Sequence, residues 1–502
     1  MTKQNLFAGL SFLLVFSGCA TYKAKYAEDA IKANRPNEKE VAHTFYLIGD
    51  AGKSPMGGMK NALKLFKRKL DSADVNSTAL FLGDNIYPAG MPDPVDSTEA
   101  YFRAKNDIDA QLKTLENFEG QPLFIPGNHD WYTEGLIGLK REQDYIQEAL
   151  DRDDVFFPEN GCPLRTIEVN DDIAIIALDT EWYLTDWNER PDINKKCEIK
   201  SRERFWLELE DAIKDNRQRT TLIAMHHPMF TYGQHGGQFT LWQNFYQKGN
   251  IGPLPILGTL INLLRKTTGA SREDLQNRRY IEMKKRLITL AQYSENVILA
   301  SGHEHTLQYI VEDNTPQIVS GAGSKIDGTR LLNGSQFSTG RHGYAILEIY
   351  TDGSSQVDFY AVDEAQDNGE NQGSGKGKDN ERDTVTDPNT GIGEDFMFTT
   401  QVLPPDRGAR LADRQVLRDQ FPKTFPPTVE ARIYSEEEIA RSGFFKWLWG
   451  DRYREYYATP VTAPTVNLDT LMGGLRPIHK GGGHQSKSLR LRAKNGSEYV
   501  MR

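Results

Sequence analysis

Three times before residue 130, a short apolar run stops at a glycine followed by a side chain that can bind a metal. The three are Tyr46-Leu47-Ile48-Gly49-Asp50, Phe81-Leu82-Gly83-Asp84 and Leu123-Phe124-Ile125-Pro126-Gly127-Asn128. Apolar runs of this length, alternating with helical periodicity, read as buried strands of an α/β layered fold. Polar residues just past them lie at the carboxyl edge, where such sheets place ligands. Taken alone, Gly83-Asp84-Asn85 is also ordinary turn chemistry.

In chain order, Thr44 to Ile48, Thr78 to Leu82 and Pro122 to Ile125 read as strands, with helices expected at Met56 to Leu70 and Ala100 to Phe118. Ile173 to Leu178 is a further strand, closed by Asp179-Thr180. Arg202 to Lys214 carries Phe205, Trp206, Leu209 and Ile213 at helical spacing. Thr221 to Met225 runs into His226-His227-Pro228, and Asn296 to Ala300 into Gly302-His303-Glu304-His305. Tyr344 to Tyr350 and Gln356 to Val362 form a hairpin through Thr351-Asp352-Gly353-Ser354 that is expected to close the domain.

A chain of 502 residues with 38% apolar and 26% charged residues has room for more than one domain. Its net charge of -10 argues against nucleic acid as the main partner, because a phosphate backbone requires a basic face. The start, 1–19, reads as a targeting segment. Lys3 precedes an apolar core, Leu6 to Phe16, and Phe16-Ser17-Gly18-Cys19 resembles a bacterial lipoprotein signal with Cys19 as the lipidated residue. An ordinary secretory signal or membrane anchor is the alternative. Both readings export the protein to the cell envelope, with 20–42 as a tether from the membrane. Cys162 and Cys197 could pair in an oxidising compartment, but their spacing does not establish it.

The domain is expected over 43–362, with an insertion at 236–296. There Leu254 to Leu264 is apolar and Arg265 to Arg286 is strongly basic. A lid, a surface that meets lipid headgroups and a solvated helix pair are all compatible with that pattern. Residues 363–395 hold ten acidic, three basic and three apolar residues, too few to drive burial, and are expected to be a flexible, disordered acidic linker. The C-terminal region 396–502 contains an aromatic cluster from Phe444 to Tyr457 and an expected β-hairpin from Ser488 to Met501. Its fold and role stay open, with an envelope partner as one reading.

The polar residues at strand ends are Asp50, Asp84, Tyr87, Asn128, His226, His303 and His305. Carboxylate, phenol, amide oxygen and imidazole suit Fe, Mn or Zn rather than soft thiolate metals. Seven donors exceed the needs of one ion. If one carboxylate bridges, they divide into two shells for a pair of ions roughly 3.5 Å apart, the clamp used for displacement at phosphorus.

The ordered series Gly49-Asp50-Ala51-Gly52, Gly83-Asp84-Asn85-Ile86-Tyr87, Gly127-Asn128-His129-Asp130, His226-His227-Pro228 and Gly302-His303-Glu304-His305 resembles the calcineurin-like metallophosphoesterases. Tyr87, three residues after the second aspartate, narrows the resemblance to the purple acid phosphatases of the tartrate-resistant type. The resemblance spans about Thr44 to Val362 and implies a four-layer α-β-β-α sandwich. It also implies that Asp50, Tyr87 and His305 hold one metal, Asp84 bridges, and Asn128, His226 and His303 complete the other shell. His129 would contact the phosphate and assist the leaving group, and His235 would be a second proton-handling residue. The implied cofactor is Fe(III) with a divalent Fe, Zn or Mn, giving a coloured protein that attacks a small phosphorylated substrate in line with metal-bound hydroxide. The insertion after His235 departs from the small members of that family and leaves substrate range open. A phosphodiesterase or pyrophosphatase with the same site is the alternative, as is an envelope protein to which the phosphoesterase domain is accessory.

Neighbouring residues are assigned ordinary roles. His227 follows a ligand on a strand, where adjacent side chains face opposite ways. Asp130 and Asp179 read as hydrogen-bonding caps. Gly52-Lys53-Ser54 imitates the end of a phosphate-binding loop, but Leu47 stands where that loop requires its first glycine.

Overall fold

A computed structural model describes residues 19–28, 39–96, 98–245, 255–292, 294, 296–363 and 392–405, together with short strands at 384–386, 476–477, 489–492 and 498–501. It divides into two units, 1–407 and 408–502.

Two mixed sheets form the first unit. One has the order Lys25–Tyr26, Ser335–Thr339, Leu307–Glu312, Thr315–Ser320, Val297–Ser301, Thr220–Met225, Ile173–Leu178, Leu164–Asn170. The other has the order Thr384–Thr386, Gly393–Leu403, Ser355–Val362, Gly343–Tyr350, Val41–Ile48, Ser77–Phe81, Gln121–Phe124.

Alternation along the strands assigns the two faces. Leu47, Leu80 and Leu123 of one sheet share a buried cluster with Ile175, Leu222 and Ile298 of the other. Their neighbours Ile48, Phe81, Phe124, Ile176, Ile223 and Leu299 pack instead with helical residues such as Leu63, Phe66, Leu209 and Leu287. Sheets buried on both faces read as continuous apolar runs, and each such side chain contributes about 1.5–3 kcal/mol on burial. The result is the α-β-β-α sandwich implied by the resemblance. Three of the helices start at a side-chain cap. Thr98 accepts from Tyr101 N, Ser201 from Arg204 N and Asn277 from Arg279 N.

The central strands of each sheet are parallel and in register, which sets the site. Ile48 lies beside Phe81 and Phe81 beside Phe124, while Met225 lies beside both Leu178 and Ser301. Residues 49–50, 82–84 and 125–128 therefore leave one sheet edge together, and His226 and His303 leave the matching edge of the other.

Several expected boundaries move. The hairpin ending at Val362 does not close the domain, because Gly393–Leu403 pairs along all of Ser355–Val362 and Thr384–Thr386 pairs with Gly393–Asp395. That strand crosses the expected 395/396 boundary, since Met397, Phe398 and Leu403 are apolar enough to join the inter-sheet core. Residues 364–383 and 387–391 lie outside the described residues. The tether assigned to 20–42 is partly docked. Ala20 bridges Thr240, Lys25–Tyr26 pairs with Phe337 and Ser338, and the next strand already begins at Val41.

The insertion assigned to 236–296 also ends early. Arg278–Ala291 buries Tyr280, Met283, Leu287, Ile288 and Ala291, so beneath its basic residues it is a core helix of the outer layer. Cys162 and Cys197, left unassigned by spacing, form a disulfide. The targeting segment before Cys19 and the aromatic cluster at 444–457 lie outside the described residues. In the second unit, Arg476–Pro477, Leu489–Arg492 and Glu498–Met501 make an antiparallel sheet that includes the expected hairpin.

Candidate metal centre

The strand ends deliver their side chains through unusual backbone. Asp50, Asp84 and His303 all have positive φ, at 54°, 55° and 66°. Non-glycine residues in this region are uncommon, and they concentrate at functional sites. The glycines beside them answer to close approach: a Cβ on Gly127 would lie 2.3 Å from Asp84 N, and one on Gly302 would lie 2.7 Å from Asp50 Oδ2.

The seven expected donors converge. The Tyr87 hydroxyl is 2.8 Å from Asp50 Oδ1, 2.7 Å from Asp84 Oδ2 and 3.3 Å from His305 Nε2. Asn128 Oδ1 is 3.1 Å from both His226 Nε2 and His303 Nδ1, and His226 Nε2 is 3.3 Å from Asp84 Oδ1. Asp50, Asp84 and His226 are buried, and donor atoms of all three lie within 4.8 Å of one another. Asp84 therefore stands between a group with Tyr87, Asp50 and His305 and a group with Asn128, His226 and His303.

The histidines are oriented from behind. His226 Nδ1 donates to Leu82 O at 2.8 Å, His305 Nδ1 to Asp327 Oδ2 at 2.6 Å, and His303 Nε2 to Glu273 O at 2.9 Å. Each bond fixes a proton on the outward nitrogen and turns the other nitrogen's lone pair inward, the usual arrangement behind metal-bound imidazole.

The charge state shows what the cluster requires. Burial works against a charged His226, but the Asp84 carboxylate and then Asp50 raise it to about 10. Burial also opposes ionisation of Asp84, yet His226 and His129 hold its carboxyl well below the usual range. Tyr87 is pushed well above the ordinary phenol value by burial, then by Asp50 and Asp84. Burial, then the neighbouring His235, keeps His303 neutral. A proton thus takes the place of a cation among inward-facing acceptors. Hard and borderline donors arranged around a spot that demands positive charge fit a dinuclear metal site.

His129 lies beside this cluster. Its amide donates to Asp84 Oδ1 at 2.9 Å and its Nδ1 bonds to Pro88 O, leaving Nε2 at 4.0 Å from Asp84 Oδ2. His235 stacks on His303 with ring centroids 4.1 Å apart. Its Nδ1 is 2.9 Å from Asp274 Oδ1, and Arg265 clamps that carboxylate, with Nη2 at 2.6 Å from Oδ1. Burial opposes the charged form of His235, but the bond from Asp274 and the Glu304 charge raise it.

The neighbours given ordinary roles stay outside the centre. His227 Nδ1 bonds Thr180 Oγ1 at 2.8 Å. Asp130 accepts from the amides of Gly127 and Ile86, and Asp179 caps the helix Thr180–Leu184 through Trp182 N. Cys19 precedes Ala20, whose amide donates to Phe239 O.

Sequence reading missed Asp327, Glu273, Asp274 and Arg265. The last three lie in the basic stretch left open between a lid, a lipid-facing surface and a solvated helix pair, and Asp327 lies 22 residues after its histidine, at no diagnostic spacing. Tyr132 was missed as well, although it stands one turn after Asn128. It accepts from Asn128 Nδ2 at 2.7 Å and donates to Glu273.

A sandwich with a donor cluster at matched strand edges is consistent with the metallophosphoesterase fold that the resemblance implies. Residues 43–254 match the model of the calcineurin-like phosphoesterases, which supports a metal-dependent phosphoric ester hydrolase. Two solved structures are similar to it. One, described as GAP50, the anchor in the inner membrane complex of Plasmodium, is 16% identical over 64% of this chain and 85% of that chain, with a TM-score of 0.39. The other, described as the structure of PhoD, is 11% identical over 65% of this chain and 67% of that chain, with a TM-score of 0.40. No curated protein matches the chain.

Proposed function

We propose that this phosphoesterase is an exported, lipid-attached phosphomonoesterase of the purple acid phosphatase type, holding ferric iron beside a divalent ion. The observation that carries the reading is Tyr87, whose hydroxyl reaches Asp50, Asp84 and His305 together. A phenolate there is a donor that favours Fe(III).

Asp50, Tyr87 and His305 would hold one ion, Asn128, His226 and His303 the other, and Asp84 both. Bound there, the ions would supply charge stabilisation at the phosphoryl oxygens and acidify water. The chain's own residues do the rest. His129, with Nδ1 committed to Pro88 O, offers Nε2 to a phosphate oxygen. His235, whose pKa the bond to Asp274 helps to raise against burial, would offer its other nitrogen to the leaving group.

The insertion favours a second reading. Residues 265–274 reach His235 and His303 and could select a diester or pyrophosphate over a monoester. Metal analysis, a visible spectrum and parallel turnover of a monoester and a diester separate the two. Loss of a visible charge-transfer band in Tyr87→Phe is expected. An unchanged spectrum, or active protein without two metals, overturns the purple-phosphatase reading. Preferred diester turnover selects the second.

A further inference from the structure

The helix Pro255–Thr268 is packed the wrong way out for a water-soluble surface. Gly258 and Asn262 are buried on the side facing the domain. Asn262 Nδ2 donates at 3.0 Å to both Gln243 O and Asn244 Oδ1. The opposite side carries Leu260, Ile261, Leu263 and Leu264, exposed by 48%, 40%, 54% and 50%. At 100° per residue, Leu263, Leu260 and Leu264 form one stripe and Ile261 its shoulder. On the adjoining short helix Leu241–Phe245, Trp242 is 68% exposed. A clustered leucine stripe with a tryptophan beside it marks a surface built to be covered.

What covers it is indicated by the start of the chain. Ala20 N donates to Phe239 O at 3.0 Å, and Ala20 bridges Thr240, the residue that opens the Trp242 helix. Cys19 therefore sits beside this face. Immediately upstream runs the apolar segment Leu6 to Phe16. Anchoring at or before Cys19 would bring the membrane to the same side as the leucines. Exposed Lys266 follows the stripe, a residue type suited to the headgroup layer.

We propose that Leu260, Ile261, Leu263, Leu264 and Trp242 form a bilayer-docking face that seats the domain on the membrane beside its N-terminal attachment. The leucines enter the interfacial layer, as in monotopic amphipathic helices, and Trp242 lies at headgroup level. The proposal rests on the N-terminal attachment of the proposed function and not on its chemistry, because none of these side chains belongs to the metal centre.

The test uses the full chain reconstituted in phosphatidylethanolamine/phosphatidylglycerol vesicles. Leu263→Cys and Leu260→Cys are each labelled with an environment-sensitive fluorophore. Val95→Cys, 86% exposed elsewhere, serves as control, with the signal of the unsubstituted protein subtracted. Retained phosphoester hydrolysis verifies folding. Brominated lipids are expected to quench the labels at 263 and 260 at least several-fold more than the label at 95. Equal or absent quenching overturns the proposal. So do 263-to-263 cross-links between copies with no lipid quenching, which would make the face a dimer interface. Lipid quenching that appears only after deletion of 408–502 overturns it too, because the C-terminal unit would then be the occupant.

Discussion

Asp327 Oδ2 lies 2.6 Å from His305 Nδ1, and the opposite ring nitrogen of His305 faces Asp50 and Tyr87. A carboxylate behind a histidine fixes its tautomer and makes it a stronger donor. Asp327→Asn is expected to weaken metal retention by about 10–100-fold, the usual effect of removing such a partner. Chelator competition followed by metal analysis measures this directly, and unchanged retention would remove Asp327 from the site.

Asp274 keeps His235 protonated to higher pH than burial alone would allow. In Asp274→Asn that support is lost and the His235 pKa falls. If protonated His235 serves the leaving group, the alkaline limb of kcat moves to lower pH. The effect should be largest for poor leaving groups. A pH profile that stays in place would show that Asp274 only packs the insertion.

Glu181 is buried, neither carboxylate oxygen has a hydrogen-bond partner among the described residues, and Arg272 Nη2 lies 3.7 Å from its Oε1. Burial is the main cause that raises its carboxyl from 4.5 to about 8. A raised acid contributes stability that is full below about 4.5 and is lost as pH rises through about 8. Glu181→Gln removes that loss, so the Tm of the variant relative to the parent should climb between pH 5 and pH 9. A constant difference across that window would contradict the assignment.

The Cys162–Cys197 disulfide closes a loop with a sequence separation of 35. Replacing both cysteines with serine is expected to cost about 3–4 kcal/mol by the loop-entropy relation. Denaturant unfolding reads this from the midpoint. Activity of the folded variant should persist, because neither cysteine touches the metal centre.

Much of the layered fold was legible because each central strand is buried on both faces and so reads as an uninterrupted apolar run. Gly393–Leu403 was not legible, since it follows a polar stretch and alternates Glu394, Asp395 and Thr400 with its apolar residues. Its pairing is decided by the free edge of Ser355–Val362, which lies in another part of the chain. Arg278–Ala291 was misread because its Lys and Arg residues dominate the composition, whereas its spacing of Tyr280, Met283, Leu287 and Ile288 carries the burial. Arg265, Glu273, Asp274 and Asp327 could not be found by spacing, because they reach the site across the fold.

The sequence by itself determined the donor types and their place at strand ends, because a donor that follows an apolar strand is confined to the sheet edge. Phe81 to Tyr87 shows the limit of that inference. Its order of glycine, carboxylate and phenol is local, but the turn becomes a metal centre only through tertiary structure. Parallel register sets Ile48, Phe81 and Phe124 side by side, and the facing sheet brings His226 and His303 to the same edge. Only the fold decided which backbone carbonyls and carboxylates stand behind each histidine. Those partners come from distant segments, and packing of the two sheets supplies the distances at which they act.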